Sequence, residues 1–139
     1  MKRLLTGAVL MLAAVSAWAL QPFVHPDAKV TGGGVKAAMG AAEQQLTGAG
    51  FTVVGKYQPQ GIPSHGVIVV TEGGLTDTLK GMGGIAVVAI PIRVGVKSDG
   101  TVSYANPEYW GRAYLRKNFG KAEGAIKGVV GKLEKAFGA

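Results

Sequence analysis

The sequence IAVVAIPIRVGVKSDGTVSYANPEYW, residues 85–110, carries the clearest structural signals in the chain. Apolar and polar side chains alternate over residues 92–97, which is typical of a strand with one buried face. Asp99-Gly100 follows, and both residue types accept the positive φ angles of a tight hairpin turn. Residues 101–105 then return as a second strand that leads to an Asn106-Pro107 corner. We therefore predict a β-hairpin at the centre of the fold.

The first strand of this hairpin is predicted to span residues 85–96, because its first half is apolar and rich in β-branched side chains. Pro91 interrupts it, and proline has no N–H to donate to a strand ladder. The sequence therefore predicts that this strand lies at an edge of the sheet or contains a bulge at Pro91.

The segments before the hairpin predict further elements of the same sheet. Residues 28–31 are predicted as a short first strand. A helix begins at Val35, because apolar side chains recur at helical spacing up to Leu46. Residues 51–58 and 67–71 are predicted as strands, since they are rich in β-branched and aromatic side chains.

Two helical patterns complete the chain. Leu75, Leu79 and Met82 are spaced as in two turns of helix, with Thr76 or Thr78 near its start. A long helix is predicted over residues 117–139, where the apolar side chains fall on one face. The predicted fold class is α+β, in the order β-α-β-β-(short α)-β-β-α. It consists of an antiparallel sheet of four to five strands with two main helices on one face.

The first 19 residues have the pattern of a secretory signal peptide. Lys2 and Arg3 precede an apolar run, and Ala17-Trp18-Ala19 places small residues three and one before a cleavage site. We expect cleavage after Ala19, which leaves residues 20–139 as a single α+β domain that is periplasmic or secreted. The chain contains no cysteine, which excludes disulfides and thiol catalysis.

Positive charge is concentrated near the C-terminus. The formal net charge is +7, and it falls to +5 when Lys2 and Arg3 are removed. Residues 20–110 carry equal numbers of basic and acidic side chains, whereas residues 111–139 are strongly basic. A basic surface of this kind favours anionic lipid or an acidic partner.

Several short segments together resemble the bacterial domain-of-unknown-function family 302. They are GFTV at residues 50–53, the strand at 67–71, IPIRVGV at 90–96 followed by Asp99-Gly100, and the last strand running into Asn106-Pro107. The resemblance implies a fold related to the TATA-box-binding protein, with an antiparallel sheet and two main helices on one face. It implies no role in binding nucleic acid, because a shared fold does not carry function.

The chain departs from the pattern of that family at two places. A cysteine often follows the proline of the fourth strand in the family, and Ile92 stands there in this sequence. The Asn-Pro at the end of the third strand is Thr71-Glu72 here. No thiol-dependent or ligand role of that cysteine is therefore expected.

Aromatic and arginine residues are densest near the Asn106-Pro107 corner. We take this group as the candidate ligand-binding residues: Arg93, Tyr104, Tyr109, Trp110, Arg112, Tyr114 and Arg116. One interpretation is that the rings seal the end of the sheet under the last helix. The other is an open pocket, in which rings contact an apolar or planar ligand and an arginine binds its carboxylate or phosphate. The two interpretations are compatible.

The sequence does not supply a catalytic or metal-binding set. Ser64-His65 could pair a nucleophile with a base, but neighbouring residues on an extended strand point to opposite sides. A soft-metal site can be drawn only from the scattered His25, His65, Met39 and Met82. The methionines lie on predicted apolar faces. We therefore predict no enzyme, no metal site and no cofactor.

One glycine-rich stretch stands just before the first helix. Residues 32–34 are three consecutive glycines, which resemble an anion cradle because free amide groups at such a position can point at a ligand. They lack the spacing and the lysine of a phosphate loop, which favours a flexible start to the helix.

Two hypotheses of function follow. The first is an exported, non-catalytic module that binds a small ligand or a protein partner at the aromatic and arginine corner. The second is a module that uses the basic helix over residues 117–139 on anionic lipid or an acidic protein. Insertion of that helix into lipid requires its apolar side chains to be exposed. The oligomeric state and the identity of the ligand stay open, and no nucleic-acid partner is expected.

Overall fold

A β-hairpin occupies the middle of the sheet in the computed structural model, which describes residues 19–139. Neighbouring strands are antiparallel and follow the order β1-β5-β4-β3-β2. The strands are β1 (Phe23–Val24), β2 (Phe51–Tyr57), β3 (His65–Glu72), β4 (Ile92–Lys97) and β5 (Val102–Ala105). The predicted α+β class and antiparallel sheet are confirmed.

Helices connect and cover these strands. They are α1 (Val35–Gly48), α2 (Gly73–Met82), α3 (Pro107–Leu115) and α4 (Glu123–Phe137). Two short 3₁₀ segments lie between them, Gly84–Ala89 and Arg116–Lys121. We call the first the apolar 3₁₀ segment. The predicted signal peptide lies outside the described residues, apart from Ala19.

The helices pack on one face of the sheet, which we call the core face. Burial alternates along β3, β4 and β5, so that every second side chain is enclosed. The enclosed positions of β4 pack with apolar side chains of α1 and α4: Ile92, Val94, Val96, Ala38, Ala42, Leu46, Ile126, Val129 and Leu133. The alternate side chains, such as Arg93, lie on the opposite, open face.

The predicted strand over residues 85–96 is wrong in its first half. Gly84–Ala89 forms a 3₁₀ segment, and β4 begins only at Ile92. Val70 is the last residue of β3 paired with β4, and the chain turns into α2 after Glu72. A strand over residues 85–90 would therefore have no neighbour on that side to accept its hydrogen bonds. Gly83 and Gly84 allow the tight turn instead, since both have positive φ.

Two further strand predictions are wrong. β4 is the middle strand of the sheet, not an edge strand, and Pro91 lies just before it rather than in a bulge. Residues 28–31 form no strand; β1 comes earlier and pairs Phe23 with Ala105. Within the predicted segment, Val30 donates a single backbone hydrogen bond to Gly100 and packs into the core.

The C-terminal helix is shorter than predicted. α3 ends at Leu115, and Arg116 has a φ of 49°, which breaks the helical path before the second 3₁₀ segment. α4 then begins at Glu123 rather than at Lys117. The short helix α2 was predicted correctly, and its N-cap is Glu72, whose carboxylate accepts from Leu75 N–H.

Backbone contacts close the turn end of the β4–β5 hairpin. The amides of Gly33 and Gly34 both donate to the Ser98 carbonyl, at 3.2 and 3.1 Å, and Val30 N–H donates to Gly100 O at 2.9 Å. Gly100 has a φ of 88°, and any β-carbon there would collide with the Val30 carbonyl oxygen. The Gly33 and Gly34 amides are thus used within the fold rather than aimed at an anion.

The edge strand β2 contains a bulge. Its register with β3 shifts between Val53 and Gly55. Beyond the shift, Lys56 pairs with Ile68 and reaches the core face, where its Nζ lies 2.7 Å from the Glu43 carboxylate of α1. The bulge therefore turns a charged side chain of this edge towards the helix.

Candidate functional site

Trp110 is the centre of the aromatic corner. Its ring makes an edge contact with Tyr109 at 5.1 Å and with Phe23 at 6.4 Å between centroids, and stacks on Tyr114 at 5.8 Å. Such pairs add stability beyond the area that they bury. The four rings therefore form one connected group, and Phe23 reaches it from the other end of the described chain.

The start of α3 fixes the position of Trp110. Asn106 caps the helix by accepting from Glu108 N–H at 3.1 Å, and Pro107 occupies the first turn, where its missing N–H is not needed. Trp110 Nε1–H donates to Pro22 O at 2.9 Å, and Asn106 Nδ2 donates to Gln21 O at 2.9 Å. The corner is thus tied to the segment around β1 by hydrogen bonds as well as by ring contacts.

A cavity of about 350 Å³ lies beside Trp110. The ladder between β4 and β5 ends at the pair Val94 and Tyr104, and the cavity opens where the two strands separate. Most of its walls are apolar or aromatic, and its lining residues are Phe23, Val88, Ala89, Pro91, Ile92, Arg93, Ala105, Asn106, Pro107, Trp110, Gly111 and Tyr114. A volume of this size falls at the lower end of the range for small-molecule sites.

Arg93 is the charged residue of this cavity. It stands on the open face of β4 and is exposed. Within residues 19–139 it forms no ion pair and no side-chain hydrogen bond. The cavity therefore combines aromatic walls with a guanidinium group that has no acidic partner in the described chain.

The other predicted site residues lie around the cavity rather than in it. Tyr104 is 2% exposed and stacks on Phe137 in the core. Burial raises the pKa of its hydroxyl, and the nearby Glu134 raises it further. Tyr109 touches Trp110 from outside the lining. Of the predicted group, Arg93, Trp110 and Tyr114 line the cavity, whereas Tyr104 belongs to the core.

Two arginines of the group have other contacts. Arg112 pairs with Glu108 at 2.9 Å, and its guanidinium lies over the Phe119 ring at 4.1 Å from the centroid. Arg116 lines a second, shallower groove together with Ile85, Tyr114 and Lys117. Tyr114 borders both the groove and the cavity, so these two depressions adjoin.

Sequence reasoning missed Phe23, Val88 and Pro91 as lining residues. Phe23 belongs to a stretch predicted to be irregular, and it reaches the corner only through its pairing with Ala105. Val88 was assigned to a strand that does not form. The sequence offered one weak indication of a role for Phe23, namely an aromatic residue directly after Pro22 in a largely polar segment.

Glu72 is the buried acid among the described residues, at 9% exposure. Burial acts to raise its pKa, but hydrogen bonds from Lys132 Nζ at 2.6 Å and from backbone amides of α2 lower the pKa below its ordinary value. Its two oxygens are engaged by Lys132 and Leu75 N–H. This carboxylate therefore joins β3, α2 and α4 and is not free for ligand chemistry.

Ser64 and His65 do meet, contrary to the expectation that they point apart. Ser64 Oγ lies 2.9 Å from His65 Nδ1. Ser64 belongs to the turn before β3, where His65 N–H donates to Ile62 O, so the alternation of a strand does not apply to it. No acid in residues 19–139 hydrogen-bonds to His65, and the pair is a surface feature without an orienting third group.

His25, His65, Met39 and Met82 have different surroundings in the fold. Within residues 19–139, no group of three or more histidine, cysteine, aspartate or glutamate side chains could hold a metal ion. Met39 packs over Gly66, where a β-carbon would overlap its sulfur, and Met82 packs against the core. His25 is exposed in the segment after β1.

The apolar face of the basic C-terminal region, residues 117–139, is buried. Phe119, Ile126 and Leu133 are 6, 2 and 0% exposed, so this face is already used against the sheet. Lys127 and Lys132 pair with Glu123 and Glu72. Association of residues 117–139 with an anionic surface stays a prediction, and it would be electrostatic. No helix of the described part of the chain is long and apolar enough to span a bilayer.

Comparisons of the chain with protein-family models, with curated proteins and with solved structures gave no match.

Proposed function

We propose that this chain is a non-catalytic binding module for a small amphipathic molecule. The molecule has an apolar or planar body and one anionic group, and it binds in the cavity beside Trp110. The observation that carries the proposal is Arg93, a guanidinium that lines a largely apolar and aromatic cavity and has no acidic partner within residues 19–139. Guanidinium binds carboxylate and phosphate in a two-pronged geometry, and rings provide contact area for the rest of the ligand.

The cavity limits the size of the ligand. Water occupies about 30 Å³ per molecule in the liquid, so 350 Å³ has room for about a dozen non-hydrogen atoms. A fused two-ring carboxylate is of this size. Its rings would lie against the Phe23 and Trp110 side chains that line the cavity, and its carboxylate would face Arg93.

A pair of probes tests the role of charge. Naphthalene-2-carboxylate and its neutral carboxamide have the same shape and differ in the group offered to Arg93. We expect the carboxylate to bind more tightly and to change the fluorescence of Trp110. A Trp18→Phe background makes Trp110 the reporting tryptophan.

Arg93→Gln and Lys97→Gln form a matched pair of variants. Both positions are exposed on the same face of β4, but Lys97 lies at the turn end, away from the cavity. Arg93→Gln is expected to weaken carboxylate binding about tenfold, since a hydrogen bond to a charged group contributes roughly 1.5–3 kcal/mol, and to leave carboxamide binding unchanged. Equal effects of the two variants, or equal affinity for the two probes, would contradict the proposal.

We also propose that the protein is exported and that it is related to the domain-of-unknown-function family 302. The Lys-Arg start and apolar run of the first 19 residues support export, and the helix-on-sheet arrangement is compatible with the resemblance to the domain-of-unknown-function family 302. Mass spectrometry of the protein recovered from a cell-envelope fraction is expected to give a chain that begins at Leu20. A chain that retains Met1 in that fraction would count against cleavage.

A further inference from the structure

One group of large exposed apolar side chains comes from the segments that border the cavity and the adjoining groove. We call it the corner patch, and its members are Leu20, Phe23, Ile85, Val87, Val88 and Tyr114, exposed by 38 to 66%. Val88 and Tyr114 line the cavity together, and Ile85 and Tyr114 line the adjoining groove. The patch is therefore continuous across the apolar 3₁₀ segment and α3.

The apolar 3₁₀ segment holds its aliphatic side chains outward. A 3₁₀ helix repeats every three residues, so Ile85 and Val88 lie on the same side, one turn apart. Ala86 is buried at 3% exposure and attaches the segment to the core. Ile85, at 66%, is the most exposed large apolar side chain among the described residues. Ile85 and Val88 are therefore solvent-exposed side chains that border the groove and the cavity.

Positive charge borders the corner patch. Arg93 stands at the cavity, and Arg116 and Lys117 stand at the groove. Arg112 is also near, but Glu108 neutralises it. The border is therefore cationic and complements an anionic surface.

The chemistry of the corner patch favours lipid over a protein surface. A second copy docked symmetrically would bring the same cationic border against itself, because a two-fold interface presents identical patches. Exposed aliphatic side chains beside cationic ones suit contact with acyl chains below anionic headgroups. Trp110 and Tyr114 are of the amphipathic type enriched where headgroups meet water. We propose that the corner patch docks on an anionic lipid surface, with Ile85 and Val88 entering the acyl boundary and Arg116 and Lys117 facing the headgroups.

Sedimentation with vesicles tests this proposal. Vesicles of phosphatidylcholine alone are compared with vesicles that contain equal parts of phosphatidylcholine and phosphatidylglycerol. All variants share the N-terminus of the parent as recovered from expressing cells, so that differences belong to the changed residues. We expect binding to the anionic vesicles, and we expect salt to reduce it.

Two variants of the corner patch and two controls separate the surfaces. Ile85→Ser/Val88→Ser and Arg116→Gln/Lys117→Gln are each expected to reduce partitioning roughly tenfold or more. Lys121→Gln/Lys135→Gln removes two exposed charges elsewhere in the basic C-terminal region, and Val54→Ser removes an exposed apolar side chain from β2. Both controls are expected to bind as the parent does.

Three outcomes would overturn the proposal. In the first, the corner patch variants bind like the parent. In the second, only Lys121→Gln/Lys135→Gln loses binding, which transfers the contact to the basic C-terminal region. In the third, sedimentation velocity without vesicles shows self-association that Ile85→Ser/Val88→Ser abolishes, which makes a second copy the occupant.

Circular dichroism of each variant checks its folding, and the two charge variants decide the matter if the serine variant unfolds. Naphthalene-2-carboxylate binding is measured without vesicles, so the two proposals fail independently.

Discussion

The two ends of the β4–β5 hairpin are built in different ways. At the turn end the contacts are backbone hydrogen bonds. The amides of Val30, Gly33 and Gly34 donate to carbonyls of residues 98–100. At the other end the strands separate, and side chains from β1, α3 and the apolar 3₁₀ segment surround a cavity. Backbone hydrogen bonds close one end completely, whereas rings of fixed shape leave space at the other. The sheet is therefore closed by backbone hydrogen bonds at its turn and borders an open cavity at its corner.

Adding one methyl group at the turn end should have the largest effect. In Gly100→Ala, alanine must adopt a positive φ, and its β-carbon must displace the Val30 carbonyl. We expect a loss of about 3 kcal/mol in the free energy of unfolding, measured by urea denaturation with circular dichroism. Gly128→Ala is the control, because that site is exposed in α4 with open space, and it should gain about 0.5–1 kcal/mol. Similar stabilities of Gly100→Ala and the parent would contradict the described turn end.

The ion pair of Glu72 and Lys132 lies at the same end of the sheet as the start of β4, and Lys132→Met should have the next largest effect. Glu72 would keep its hydrogen bond from Leu75 N–H but lose the 2.6 Å contact to Lys132. Because Lys132 is itself partly exposed, we expect a loss of about 1–2 kcal/mol at neutral pH. Lys135→Met, on an exposed position of the same helix, should stay within about 0.5 kcal/mol of the parent.

The same pair predicts the direction of a pH dependence. The pKa of Glu72 is lower in the folded chain than its ordinary value of 4.5. The stabilisation is therefore complete above that value and is lost as pH falls through the lowered folded pKa. The stability difference between the parent and Lys132→Met should shrink in acid. A difference that grows on acidification would show that the sign is wrong.

A smaller effect is expected for Trp110→Phe at the corner. Phenylalanine keeps a ring but cannot donate to Pro22 O. That carbonyl still accepts from Asn106 N–H, so we expect a loss of only about 1 kcal/mol. Tyr114→Phe, at a 38% exposed position, should change the free energy of unfolding by less than about 0.5 kcal/mol. Equal losses would indicate that the hydrogen bond to Pro22 does not hold the corner.

Asp99→Asn at the turn should have the smallest effect, since the side chain is exposed and asparagine can still accept from Thr101 N–H.

Hydrogen bonds from Thr101, first from its backbone N–H and then from its hydroxyl, lower the pKa of Asp99 to about 2, with help from Lys29. A carboxyl-carbon NMR titration should find this value. The small stabilisation should be present above pH 3.8 and lost towards pH 2. In Lys29→Gln the pKa should rise only part of the way, because Thr101 is the main cause.

The sequence predicted well what depends on nearby residues. Asp99-Gly100 located the turn, alternation located β4, and helical spacing identified Phe119, Ile126 and Leu133 as core residues. Prediction from the sequence failed where contacts between residues far apart in the chain determine the local structure. The β-branched run after Gly84 resembles a strand, but it has no strand beside it because β3 has already turned into α2.

The candidate site divides in the same way. Arg93, Trp110 and Tyr114 were found because aromatic and arginine residues are dense in that part of the sequence. Phe23 could not be found from local residue density, since only the pairing of β1 with β5 brings it to the cavity. Tyr104 was grouped with the cavity residues but lies on the core face, because its position in the register of β5 pairs it with Val94.

The bulge in β2 has a consequence for how the protein behaves at high concentration. An intact edge strand is a template on which further chains can add and form fibrils. Here one edge is interrupted at Val53 and Gly55 and carries Lys56, and the other is the two-residue β1. Neither edge offers a long, regular row of free hydrogen-bonding groups. Growth of the sheet from molecule to molecule is therefore blocked at both sides, although the corner patch leaves apolar side chains in water.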